Sequence, residues 1–161
     1  MNPITEKSGK NILTQLVPND QTEFDTPENV LDSWVNQFQI QKENLDEGTK
    51  GLRNPQVGAF YSILSHWTFS AEIGTVVLPT GTGKTETMLA AYVSEGLKKL
   101  LIIVPTDPLR KQISQKFLKL GLLNLLGLIG DEIKYPIVGI VNSKFDSVES
   151  ANSFLQKSNV I

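Results

Sequence analysis

The chain has 161 residues, 40% of them hydrophobic, which is the material of one ordinary domain with a real core. Cysteine is absent, which excludes disulfides and thiolate metal sites, and a single histidine argues against a histidine-built metal centre. The formal charge of −2 is no nucleic-acid signature by itself. No apolar run approaches the roughly 20 residues that cross a bilayer, and the opening MNPITEKSGK lacks a signal-peptide core, so a cytoplasmic protein is expected.

Charge is unevenly placed. Residues 1–50 carry four basic and nine acidic side chains, a balance of −5, whereas residues 51–161 carry eleven basic and eight acidic, a balance of +3. That split sets an acidic front region, 1–50, apart from a mildly basic region, 51–161. Residues 1–25 are polar without a sustained period and read as a loose arm. From Thr26 the pattern changes: Thr26 as cap, Pro27 at the first helical position, and Val30, Leu31, Trp34, Val35 and Phe38 on one face predict an amphipathic helix. A polar run from Gln41 to Lys50, with Gly48 and Gly51, reads as a linker.

A second helix is predicted to open at Asn54-Pro55, with Val57, Phe60, Tyr61, Leu64 and Trp67 as its apolar stripe. Strand and helix then alternate. Thr75–Leu78 is expected to be a short buried strand, Lys84–Glu95 a helix stopped by Gly96, and Lys99–Val104 (KLLIIV) a fully buried strand. Asp107 is expected to cap a helix opened by Pro108, with Leu109, Ile113, Phe117 and Leu120 inward and Gly121 at its end. Pro136–Val141, a helix over Ser147–Lys157 and a strand beginning at Asn159–Ile161 complete the series. Alternation of this kind predicts an α/β fold, a parallel sheet with flanking helices, preceded by a helical N-terminal segment.

The chemistry concentrates in VVLPTGTGKTET, residues 76–87. An apolar strand delivers the chain to Pro79, Thr80–Gly83 turn it, and a helix starts at Lys84. Gly81 and Gly83 lack a Cβ, so successive backbone N–H groups can close on phosphate oxygens, and the helix N-terminus adds partial positive charge. Lys84 would reach the β- and γ-phosphates and the Thr85 hydroxyl would bind magnesium. The strict phosphate-loop pattern asks for glycine at position 78, where this chain has Leu78.

Pro79-Thr80-Gly81-Thr82-Gly83-Lys84-Thr85 resembles the first motif of superfamily-2 helicases and translocases, of the DEAD/DEAH-like group that includes restriction-enzyme motor subunits. Arg53-Asn54-Pro55-Gln56 is similar to that group's adenine-reading element, and an amide that both donates and accepts suits the N6 and N7 edge of adenine. The resemblance therefore implies a nucleotide site of Arg53, Gln56, Thr80, Gly81, Thr82, Gly83, Lys84 and Thr85, with Lys84 catalytic, Thr85 on the metal, and ATP and Mg2+ as cofactors. Val104-Pro105-Thr106 is similar to the next motif, which implies nucleic-acid backbone contact at Pro105, Thr106 and Arg110. Lys116 and Lys119 on the same helix read as a solvated basic face. DNA is the polymer favoured over RNA, and no membrane partner is implied.

By the same resemblance, residues 51–161 correspond to an incomplete RecA-like phosphate-loop domain, the ATP-binding front of a helicase or translocase. Hydrolysis needs an acidic pair on a buried strand and an arginine from a second domain. Asp131-Glu132, at the end of LLGLIGDE, follows a run broken by Gly127 and Gly130 and reads as a loop instead. The expectation is thus that a missing C-terminal half or partner subunits supply the rest, and that this piece alone is inactive and poorly stable. A nucleotide-binding regulatory module or degenerate remnant that never hydrolyses ATP is the alternative.

Overall fold

A computed structural model describes the whole chain, Met1–Ile161. Its N-terminus is a β-hairpin, not a loose arm and not a helical segment. Strand β1 (Asn2–Ser8) pairs antiparallel with β2 (Asn11–Val17) in a register running from Asn2 opposite Val17 to Ser8 opposite Asn11. The turn between them is two residues long with Gly9 first, at a φ of +60° that favours glycine and matches the right-handed twist of a hairpin.

Strand β2 escaped the period-2 reading because its buried face, Asn11, Leu13, Gln15 and Val17, alternates polar with apolar. Both polar members are satisfied. Asn11 Oδ1 accepts from the backbone N–H groups of Asn142 (2.8 Å) and Ser143 (2.9 Å). Gln15 accepts from the Asp25 N–H at 2.9 Å and donates to the Tyr135 carbonyl at 2.8 Å. Burial of the two polar side chains is tolerated because each finds its partners.

The helix α1 spans only Pro27–Asp32, with Thr26 accepting from the Asn29 N–H at 3.1 Å as a cap. It ends early, and Asn36 takes a φ of +59°, so Val30 and Trp34 are buried while Val35 is 63% exposed. The indole N–H of Trp34 donates to the Lys134 carbonyl at 2.9 Å. Helix α2 (Asn54–Phe69) and helix α3 (Lys84–Ser94) follow the expected boundaries closely. Helix α4 (Asp107–Leu118) has Thr106 at its cap position; Asp107 is inside the helix and pairs with Arg110 at 2.7 Å instead of capping.

The expected parallel sheet is not what forms. The sheet is three-stranded and antiparallel, in the order β1-β2-β3, with β3 (Val138–Ile140) joined to β2 by pairs such as Leu13 with Gly139. Helix α5 (Val148–Lys157), capped by Ser147, follows. Parallel geometry survives only as isolated bridges, Lys42 with Leu52, Leu100 with Val160 and Val160 with Val138. Thr75–Leu78 and Ile103–Val104 run without strand pairing, leaving Val77 85% and Ile103 86% exposed, whereas the Ile102 N–H still donates to the Ile161 carbonyl at 2.8 Å. A β-branched run becomes a strand when a neighbour pairs with its edge, so composition alone did not decide these two segments. The N-terminal hairpin supplies β3 with such a neighbour.

Beneath these elements lies one core cluster of Val30, Trp34, Leu52, Phe60, the Leu89–Val93 stretch of α3, Phe117, Leu120 and Val160 among others. Trp34 meets Tyr92 edge-on at 5.0 Å between ring centroids, which ties the front region to α3. A smaller cluster of Leu13, Ile137 and Phe154 holds α5 to the sheet.

Candidate nucleotide site

Gly83 is where the local physics is strictest. It stands at the cap position of α3 with φ +86° and ψ 39°, a left-handed conformation that side chains rarely adopt. A Cβ there would also overlap the Gln56 amide nitrogen. Gly81 is left-handed too, at φ +82°, with open space above it. The loop Pro79–Gly83 therefore turns sharply and exposes its outer side, while the first N–H groups of α3 have no partner within the helix. Glycine at positions 81 and 83 lets the chain make this turn without backbone strain.

Within the loop, Pro79 is the hub. Its carbonyl accepts from the Thr82 hydroxyl at 2.7 Å and from the Lys84 ammonium at 2.9 Å. Lys84 and Thr80 are exposed, and Thr85 is half-buried at the start of α3. Arg53 reaches the Gly81 carbonyl with a long 3.5 Å contact. Gln56 is 5% exposed, and its amide bolts the first turn of α2 to the loop: Nε2 donates to the Gly83 carbonyl at 3.1 Å, and Oε1 accepts from the Arg53 N–H at 2.9 Å. One hydrogen and one lone pair of that amide remain for a further partner. Arg53, Gln56, Thr80, Gly81, Thr82, Gly83, Lys84 and Thr85 are thus brought together at one place.

A glutamine at the third position of α2 can fold back to accept from the cap N–H, the one half of a capping box that is present, since Arg53 at the cap has no side-chain acceptor. Glu86 is the residue that sequence reasoning missed. It is 6% exposed in the first turn of α3, and its carboxylate pairs with Lys116 of α4. Lys116 is consequently not part of a solvated basic face, whereas Lys119 is exposed.

Pro105 and Thr106 are exposed at the bend before α4, and no hydrogen bond from a helix N–H occupies the Thr106 hydroxyl. Arg110 is more committed: it donates to the Val141 carbonyl at 3.0 Å as well as to Asp107. Asp131 and Glu132 lie in an exposed loop and line a groove with Met1, Leu16 and Pro18 beside the hairpin. No three acidic or histidine side chains gather into a metal cage. Thr85 places a half-buried hydroxyl in the first turn of α3.

The glycine turn thus opens α3, with the Gln56 amide held against it from below. The family model described as type III restriction enzyme, res subunit, matches residues 49–137, more than half of the chain, and the chain belongs to that helicase-type family of superfamily 2. No curated protein and no solved structure matches it. Family membership marks the matched stretch as related to the ATPase region of helicases and restriction motors. No helix is long and apolar enough to cross a membrane.

Proposed function

We propose that this chain binds ATP with Mg2+ as the nucleotide-binding part of an ATP-dependent DNA helicase or translocase. The triphosphate lies against the N–H groups of Gly81, Gly83, Lys84 and Thr85, where the helix terminus favours negative charge. Lys84 leaves the Pro79 carbonyl for the β- and γ-phosphates, an exchange of one charge-assisted bond for stronger ones. Thr85 contributes a hydroxyl to the magnesium ion. Gln56 offers its remaining hydrogen and lone pair to adenine, beside Arg53. The exposed turn at Pro105 and Thr106, with Arg110 behind it, meets the phosphate backbone of the nucleic acid, a contact that positions without reading sequence.

The observation that carries this reading is the left-handed Gly83, closed from below by Gln56, at the entrance to α3. Its test is calorimetric titration of the chain with ATP and magnesium. Saturable binding, lost by at least about tenfold in Lys84→Ala as a charged phosphate contact of roughly 1.5–3 kcal/mol requires, is the expected result. Equal binding by Lys84→Ala would sink the assignment.

A second reading, nucleotide binding without hydrolysis, is favoured by where the acids sit. Glu86 is tied to Lys116, and Asp131 and Glu132 face the hairpin groove. Binding without ATP turnover in the presence of DNA would support it; DNA-stimulated turnover would exclude it.

A further inference from the structure

Beneath the phosphate loop sits a buried negative charge. One oxygen of the Glu86 carboxylate lies 3.6 Å from the point a Cβ of Gly83 would occupy, and the other lies 3.6 Å from the corresponding point at Gly121. A carboxylate in the first turn of a helix is stabilised by the helix dipole. The same dipole is what the loop offers to a phosphate, so Glu86 and a bound anion compete for one source of positive potential. A buried carboxylate so placed, left uncompensated, would oppose an incoming triphosphate through low-dielectric protein.

Compensation comes from a different helix. Lys116, in the last turn of α4, reaches the Glu86 carboxylate while keeping a third of its side chain in water. The other three ion pairs do not do this work. Arg110 with Asp107 and Lys157 with Glu6 join exposed groups, and Lys134 with Asp25 closes the hairpin side. Glu86 with Lys116 is the pair that places a buried acid at the loop.

We infer that Lys116 is a positioning residue for the phosphate loop: it cancels the Glu86 charge beneath Gly83 and so sets how much negative charge the loop accepts. Because Thr106 caps α4, the pair also joins the nucleotide loop to the helix that follows the exposed Pro105–Thr106 turn. A shift of α4 that draws Lys116 away would raise the negative potential under the loop and weaken the grip on the most highly charged nucleotide first. The inference rests on the nucleotide reading above.

Opposite signs test it. Titrating the chain with ATP and with ADP, magnesium present, Lys116→Met should weaken ATP about tenfold, equivalent to about 1.4 kcal/mol, and ADP less. Glu86→Gln should tighten ATP by roughly threefold, since it leaves the partly hydrated Lys116 uncompensated, and the double variant should return close to the original affinity. Lys116→Arg keeps the charge and should behave as the original. Raised salt should shrink all these differences. A pair that only holds α3 to α4 would make both single variants weaker, and that outcome overturns the inference. If Lys116→Met fails to fold, Glu86→Gln still decides, because the lysine it leaves keeps a third of its side chain in water; weaker or unchanged ATP binding there is fatal. Should the unaltered chain bind no ATP at all, the nucleotide reading and this inference fall together. Should ATP bind and depend on Lys84 while both pair variants are silent, this inference alone falls.

Discussion

The antiparallel side of the molecule and the loop side solve the same problem with opposite success. In the hairpin sheet, β2 is paired on both edges, and even its buried polar residues Asn11 and Gln15 are satisfied. On the loop side, Thr75–Leu78 and Leu101–Val104 are as apolar as any strand here, yet they present Val77 and Ile103 to solvent. Between them and helices α2 and α3 lies a groove of about 500 Å3, lined by Trp67, Val76, Leu101 and Tyr92 among others. The Tyr92 hydroxyl is buried without a partner, and burial pushes its pKa well above the ordinary phenol range. Pairing, more than hydrophobicity, separates the two sides: backbone groups without partners forgo the ladder that would bury the side chains beside them.

The comparison can be broken most forcefully at α5. Phe154→Ala removes a buried ring that packs with Leu13 and Ile137, and should cost about 3–5 kcal/mol in urea denaturation. A loss under about 1 kcal/mol would mean that the hairpin sheet is not anchored there. Next in size is Gln15→Ala, which strands the Asp25 N–H and the Tyr135 carbonyl and should destabilise by about 1–3 kcal/mol. By contrast Val77→Thr on the unpaired segment should change stability by no more than about 0.5 kcal/mol. Hydrogen exchange sharpens the same contrast: amides of β2 should be protected, and those of Val76 and Val77 should exchange almost freely. Equal protection on the two sides would erase the distinction.

The smallest effect concerns the start of α5. The Glu149 backbone N–H, and secondarily the Ser147 hydroxyl, hold the Glu149 carboxyl below its ordinary pKa. A depressed folded pKa stabilises the fold above the unfolded value, and that contribution disappears as pH falls through the folded one. Ser147→Ala should move the Glu149 titration upward in NMR, and it also removes the cap that accepts from the Ser150 N–H. An unmoved titration would show that the backbone N–H acts alone.

Much of the helical content was legible because its signals are local. Thr26-Pro27, Asn54-Pro55 and Asp107-Pro108 each marked a helix start to within a residue or two, as caps and proline act within one turn. The sheet was not legible, since pairing Leu13 with Gly139 joins segments more than a hundred residues apart. At the candidate site, the glycines and Lys84 announced themselves by spacing. The bolt formed by Gln56 and the pairing of Glu86 with Lys116 did not, because both depend on how separate helices pack.

By itself, then, the sequence determined a glycine turn opening a helix and the residue types gathered around it, since those follow from backbone sterics over a few neighbours. Tertiary structure decided which apolar segments found strand partners, where the Gln56 amide spends its hydrogen bonds, and that Glu86 is buried against Lys116. Those outcomes turn on which distant surfaces meet, and a carboxylate or an amide acquires its energetic meaning only from the neighbours that replace its water.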